Sequence, residues 1–151
     1  PNTPALVGLG VTGLFPSRCS VYEQSFAEKL FAGTGKTVWL EKEQDINAII
    51  AVTGSAPAYF FYFMQAIQQV AQELGFDEAQ AKAMVAQTAL GAATMASQSD
   101  SSFEALRAQV TSKGGTTHEA IETFKQHKLE SMVKDAMYAA IRRAEEMAKT
   151  L

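Results

Sequence analysis

Apolar and polar positions follow two different rhythms along this chain. Residues 5–11, ALVGLGV, are apolar without helical spacing and read as a strand. Pro4 stands ahead of them and Pro16 breaks the pattern behind. Phe26, Ala27, Leu30 and Phe31 then share one face of a helix. Ser20 and Glu23 open it as a capping box, and Gly33 and Gly35 supply its stop. KTVWLE, residues 36–41, is β-branched and aromatic and reads as a second strand. Strand, helix, strand is the grammar of a parallel sheet. Two strands and one helix leave most of such a sheet uncovered.

From about Glu43 onward the rhythm is helical. EQDINAIIAVTG forms one helix, closed by Gly54. The next has Ser55 as cap, Pro57 in its first turn and Gly75 as stop. Asp77 with Gln80 caps a third, over residues 77–99. Ser101 with Glu104 caps a short fourth, and Thr116 with Glu119 boxes the start of a fifth. The last runs from about Lys128 to the end. Leu129, Met132, Val133, Ala136, Met137, Ala140, Ile141, Ala144, Met147 and Ala148 form its apolar stripe. The pattern predicts a mainly α chain: a short β-α-β segment over 1–42 and an all-helical domain over 43–151.

Tyr59 to Met64 is apolar or aromatic all round the helix, so it needs cover on every side. Each large side chain buried contributes ~1.5–3 kcal/mol. An intimate dimer supplies that cover; the alternative is a central helix in a monomeric bundle.

Composition narrows the possibilities. At 151 residues and 47% hydrophobic, the chain can form a core. A net charge of -3 argues against a nucleic-acid partner, which needs a basic face. Cys19 is the only cysteine, which excludes an intrachain disulfide and a cysteine zinc cluster and fits a reducing, cytoplasmic setting. His118 and His127 stand too far apart for a helical metal pair, so no metal is expected. No apolar run is expected to reach membrane-spanning length, and no membrane partner is expected. The abrupt start Pro1-Asn2-Thr3-Pro4, without Met, suggests an originally longer chain.

Two glycine sites compete for chemistry. Gly8-x-Gly10-x-x-Gly13 has the spacing of a dinucleotide fingerprint, but that motif needs a helix to start at once. Here Leu14 to Cys19 intervene, so the alternative is glycines that let a strand bend or pack closely. Gly114-Gly115, followed by Thr116 and Thr117, opens a helix whose free amides and dipole suit a carboxylate. Ser112 adds a hydroxyl and Lys113 a charge; the alternative is a plain interhelix turn. Asp100, in SQSDSS, reads on spacing alone as a solvated loop acid.

Four stretches resemble pyrroline-5-carboxylate reductase, in order and correctly spaced. VTSKGGTT resembles its V-[TS]-S-P-G-G-[TA]-T signature, and TGSAPAYFF its S-G-S-G-P-A-Y stretch. PNTP with VGLGVTGL resembles its P-N-T-P-x-x-V-G-x-G-x-T segment, and QTALGAA its Q-T-x-x-G-A-A. The resemblance implies that residues 1–42 are the end of an NAD(P)-binding Rossmann domain. Residues 43–151 would be a helical dimerisation and substrate-binding domain, similar to the C-terminal domain of 6-phosphogluconate dehydrogenase. It implies NADPH- or NADH-dependent reduction of 1-pyrroline-5-carboxylate to L-proline by a homodimer, with higher assembly left open. This portion would be inactive alone. Ser112, Gly114, Gly115 and Thr116 would hold the substrate carboxylate. Thr117 would be catalytic, its hydroxyl on the ring nitrogen. Asp100 falls where the family often has a Glu near substrate. Asn2, Thr3 and Gln109 would lie near the cofactor. Lys113 and Ala56 depart from the family's proline and glycine. The alternatives are a related imine or hydroxyacid reductase of the same build, or a non-catalytic helical dimerisation module.

Overall fold

A computed structural model describes residues 1–150. Its elements run in the order β1 (Gly10–Leu14), α1 (Val21–Ala32), β2 (Gly35–Trp39), α2 (Asp45–Ile49), α3 (Ala56–Glu73), α4 (Glu78–Gln98), α5 (Phe103–Gln109), α6 (Thr116–Gln126) and α7 (Leu129–Ala148). The β-α-β opening and the helical remainder agree with the sequence pattern. The strands pair in parallel, with Gly10 opposite Gly35 and Leu14 opposite Trp39. The described residues fall into two compact units, Pro1–Phe60 together with the chain from Val133 onward, and Phe61–Met132.

The first strand begins later than its apolar run suggests. Thr3–Val7 form a 3-10 turn with Pro near its start, and Gly8 ends it at φ 73. Leu6, Val7 and Leu9 are exposed. Gly10 lies where β1 passes Ala5: an added Cβ would sit 2.8 Å from the Ala5 Cα. At Gly13 it would sit 2.8 Å from the Ile49 Cδ1. The glycines of Gly8-x-Gly10-x-x-Gly13 therefore serve a turn and two close approaches. No helix follows them directly: Gly10 and Gly13 lie within β1, and α1 starts only at Val21.

Helix α1 starts as its sequence dictates. The Glu23 amide donates to the Ser20 hydroxyl oxygen at 3.3 Å, and the Ser20 amide donates to the Glu23 carboxylate at 2.8 Å. The Ser20 hydroxyl hydrogen bond, then the Ser20 amide, hold the Glu23 carboxyl below the usual carboxylate range. This cap is intact above the unfolded carboxylate's pKa and weakens as pH falls through the lowered value. Asp77 and Gln80 form the same box at α4. At α5 the cap is Ser102, accepting from the Ala105 amide at 3.2 Å, and not Ser101. At α6 the capping residue is Gly115, with no side-chain cap, so the expected Thr116–Glu119 box does not form.

Gly54 does not end a helix. Residues Ile50–Gly54 form a π turn, with the Ser55 amide donating to the Ile50 carbonyl at 2.8 Å. The widened turn absorbs a residue and keeps the chain helical. Two expected helices thus merge into one run, Asp45–Glu73, of 29 residues and mean hydropathy 1.3. By length and composition alone that run can span a membrane, contrary to the sequence expectation. Only 6% of its most apolar window is buried.

Buried hydrophobics among the described residues are few. Ala51 in the π turn, with Ala81 and Val85 on α4, are buried, and no large side chain is fully so. Within the second unit the Phe63 ring of α3 meets the Phe124 ring of α6, centroids 5.9 Å apart. Along α3, Phe60, Phe61 and Tyr62 are 65%, 64% and 75% exposed.

Gly10→Ala is expected to destabilise the intact protein by about 1–3 kcal/mol, because the methyl group meets Ala5 backbone. Gly33→Ala, which meets nothing within 4 Å, is expected to leave stability unchanged or higher. Urea unfolding of the two variants checks the contrast.

Candidate functional site

The segment between α5 and α6 gathers several polar groups at one turn. The end of α5 ties down its approach: the Thr111 hydroxyl donates to the Arg107 carbonyl at 2.6 Å. Ser112–Gly115 is then a tight turn, with the Gly115 amide donating to the Ser112 carbonyl at 3.0 Å. Gly114 at φ 71 occupies its third position, and Lys113 before it has no positive φ. That combination is a type II turn, which requires glycine-like freedom at that third position. Gly115 has an ordinary φ of -83; its constraint is space. A Cβ there would sit 2.5 Å from the Ser112 Oγ, so glycine lets the hydroxyl fold over the turn.

Helix α6 begins at once. Its first helical bond is from the Glu119 amide to the Gly115 carbonyl, 3.3 Å. The amides of Thr116, Thr117 and His118 have no acceptor among the described residues. Three free N–H groups at the positive end of an eleven-residue helix, with the Ser112, Thr116 and Thr117 hydroxyls beside them, suit an anion the size of a carboxylate. The turn consumes the Gly115 amide, so the donor set sits one residue further along than the sequence suggested, and His118 joins it. Ser112, Gly114, Thr116 and Thr117 are exposed and Gly115 is half-buried. The first α6 turn is therefore open to a ligand.

The other expected site residues stand apart in the chain. Asp100 is exposed in the link between α4 and α5, and Gln109 is the exposed last residue of α5. Among the described residues neither makes a side-chain hydrogen bond to the Ser112–Thr117 segment. Thr3 is exposed in the 3-10 turn. Asn2 is committed on both sides of its amide: Nδ2 donates to the Thr53 carbonyl at 2.9 Å, and Oδ1 accepts from the Val11 amide at 2.9 Å. One N–H and one lone pair of that side chain remain for anything else. The sequence signal for this role is Pro57, four residues past Thr53 and unable to donate to it.

No dinucleotide cradle is formed by the described residues. Gly8, Gly10 and Gly13 are used for turn and packing, and no helix N-terminus follows them. No cluster of three or more metal-ligating side chains occurs among the described residues.

Comparison with known proteins places these features in a family. Residues 43–147 match the family described as pyrroline-5-carboxylate reductase dimerisation. Pyrroline-5-carboxylate reductase of Vibrio alginolyticus is 50% identical over 151 residues, covering 99% of this chain and 56% of that protein. A pyrroline-5-carboxylate reductase structure from Coxiella burnetii superposes with a TM-score of 0.93 at 39% identity, over 97% of this chain and 54% of that one. A Plasmodium falciparum pyrroline carboxylate reductase, crystallised with NADP bound, gives 0.87 at 26% identity, over 97% and 60%. The chain spans about half the length of the curated relatives it matches.

Lys113 donates no backbone hydrogen bond and occupies the turn position that proline favours. Lys113→Pro is expected to stabilise the intact protein by about 0.4–1 kcal/mol, by restricting the unfolded chain. A lowered thermal midpoint would contradict the turn assignment.

Proposed function

This chain belongs to the pyrroline-5-carboxylate reductase dimerisation family, and from that premise we propose that the protein reduces 1-pyrroline-5-carboxylate to L-proline. The observation that carries this reading is the open α6 N-terminus: three unpaired amides with three hydroxyls beside them, a receptor for the substrate's carboxylate. The cofactor, NADPH or NADH, supplies the hydride when bound. This chain's own residues bind and orient the ring. Ser112 and the amides of Thr116, Thr117 and His118 hold the carboxylate. Gly114 and Gly115 shape the turn that delivers them. The Thr117 hydroxyl hydrogen-bonds the ring nitrogen and fixes which ring face is presented. Asp100 approaches the substrate from the α4–α5 link. Thr3 and Gln109, with the free half of the Asn2 amide, lie toward the nicotinamide.

This division of labour is chemically sufficient. A protonated C=N bond is already electrophilic at C5, so the hydride adds there and the electron pair of the C=N bond settles on nitrogen. Orientation, not acid–base strength, then limits the rate. In this reading residues 1–42 are the end of a Rossmann domain and residues 43–151 the substrate-binding helical domain. A second copy covers the exposed aromatic residues of α3, and the setting is cytoplasmic.

In the intact protein, Thr117→Ala is expected to lower kcat/KM by about tenfold or more, and Thr117→Ser to recover most of it. A wild-type value for Thr117→Ala would contradict the assigned role. Gly115→Ala is expected to raise the KM for pyrroline-5-carboxylate about tenfold, since its methyl group displaces the Ser112 hydroxyl and one hydrogen bond to charge is worth ~1.5–3 kcal/mol. Steady-state kinetics with unchanged circular dichroism checks this. Turnover confined to other imines or hydroxyacids would overturn the substrate assignment.

A further inference from the structure

Pro57 leaves a gap in the helical run. It has no amide hydrogen, so the carbonyl four residues before it, on Thr53, loses its usual partner. The π turn does not repair this, because the Ser55 amide bonds to Ile50 and the Ala58 amide to Ser55. The Thr53 hydroxyl turns back to the Ile49 carbonyl at 2.9 Å and offers no help. The missing donor comes from Asn2, fifty-one positions away, through Nδ2 at 2.9 Å.

The other end of the same amide meets a second orphan. In a parallel pair alternate amides face away from the partner strand. The Gly10 amide donates to Thr34 across the β1–β2 side, so the next amide, Val11, faces the free edge. Asn2 Oδ1 accepts it at 2.9 Å. Both bonds are part-buried. The bond to Thr53 is the only side-chain hydrogen bond among the described residues that spans more than nine positions. Around it the chain encloses a cleft of about 300 Å³ between β1 and the helical run, lined by Val11, Gly13, Ile49, Ile50 and Thr53 among others.

We propose that Asn2 is a positioning residue. It supplies the hydrogen bond that Pro57 cannot, and thereby locks the free edge of β1 to the π turn at a fixed spacing. The functional consequence rests on the reductase reading above. The strand and the turn carry the chain from the cofactor side to the helical domain, so a loosened clamp degrades hydride-transfer geometry while the carboxylate site on α6 is untouched. The signature is a loss in kcat without a change in KM.

Two substitutions test the pairing in the intact protein. Asn2→Asp removes the donor to Thr53 and keeps the acceptor for Val11. It is expected to lower kcat about tenfold, with the KM for pyrroline-5-carboxylate within about twofold. Adding Pro57→Ala restores an amide four residues after Thr53, and most of the lost kcat returns. Asn2→Ala removes both bonds, and hydrogen exchange at the Val11 amide is expected to quicken about tenfold or more. Additive losses from Asn2→Asp and Pro57→Ala, or Val11 exchange at the wild-type rate in Asn2→Ala, would overturn the proposal. The exchange arm needs no turnover. A wild-type protein inactive on pyrroline-5-carboxylate would therefore overturn the reductase reading and leave the clamp to be decided by exchange.

Discussion

A helical stretch that is apolar on all its sides needs apolar cover on all its sides, and Tyr59–Met64 of α3 does not obtain it from the described residues. Phe60, Phe61 and Tyr62 follow one another round the helix and stay mostly exposed. The buried hydrophobics among the described residues are small: two alanines and a valine. Such a core offsets little of the entropy of ordering the chain. The exposed aromatic residues of α3 are therefore left for another surface to cover. In the proposed reading that surface is a second copy's, in keeping with membership of a dimerisation family. In that reading an interface accounts for the hydropathy of Asp45–Glu73, since an interface helix and a spanning helix pass the same test of length and composition.

The way that helical run is begun is the second constraint. Pro57 is tolerated in a first turn because no donor is needed there, but here the chain is already helical before it. The cost is an orphaned Thr53 carbonyl, and Asn2 covers it while also covering the Val11 amide. The glycines packed alongside have a matching explanation. Gly10 lets β1 pass Ala5, and Gly13 lets it approach Ile49. What looks like a cofactor fingerprint is a set of close contacts that bring strand and helix near enough for one asparagine to bridge them.

Much of this was legible in the sequence, and the failures have local causes. Capping boxes at Ser20–Glu23 and Asp77–Gln80 marked α1 and α4 because both members of each pair are adjacent in sequence. The turn at Gly114 was legible because a positive φ nearly demands glycine. The start of β1 was misplaced because apolar residues at 5–7 look like a strand, whereas Pro4 and Gly8 make them a 3-10 turn. Gly54 was read as a stop because glycine often is one, yet it keeps helical geometry inside the π turn. At Ser101 and Ser102 two adjacent serines compete for one cap, and only the geometry selects the second. At Asn2 the sequence showed only half of the pairing: Pro57 marks a carbonyl without a donor, but the donor lies fifty-one positions away and only folding brings the two together. The proposed carboxylate site lay within reach because Ser112–Thr117 are consecutive; Asp100 near the substrate, and Thr3 and Gln109 near the cofactor, enter the reading by resemblance alone.

The central claim is that the site-bearing helices are stable only when a second copy covers α3. Equilibrium unfolding of the intact protein, followed across a hundredfold range of protein concentration, tests it most directly. Unfolding coupled to dissociation makes the midpoint rise with concentration, and this account predicts that rise together with a dimeric or larger mass in solution. A midpoint independent of concentration in a monomeric protein would contradict it.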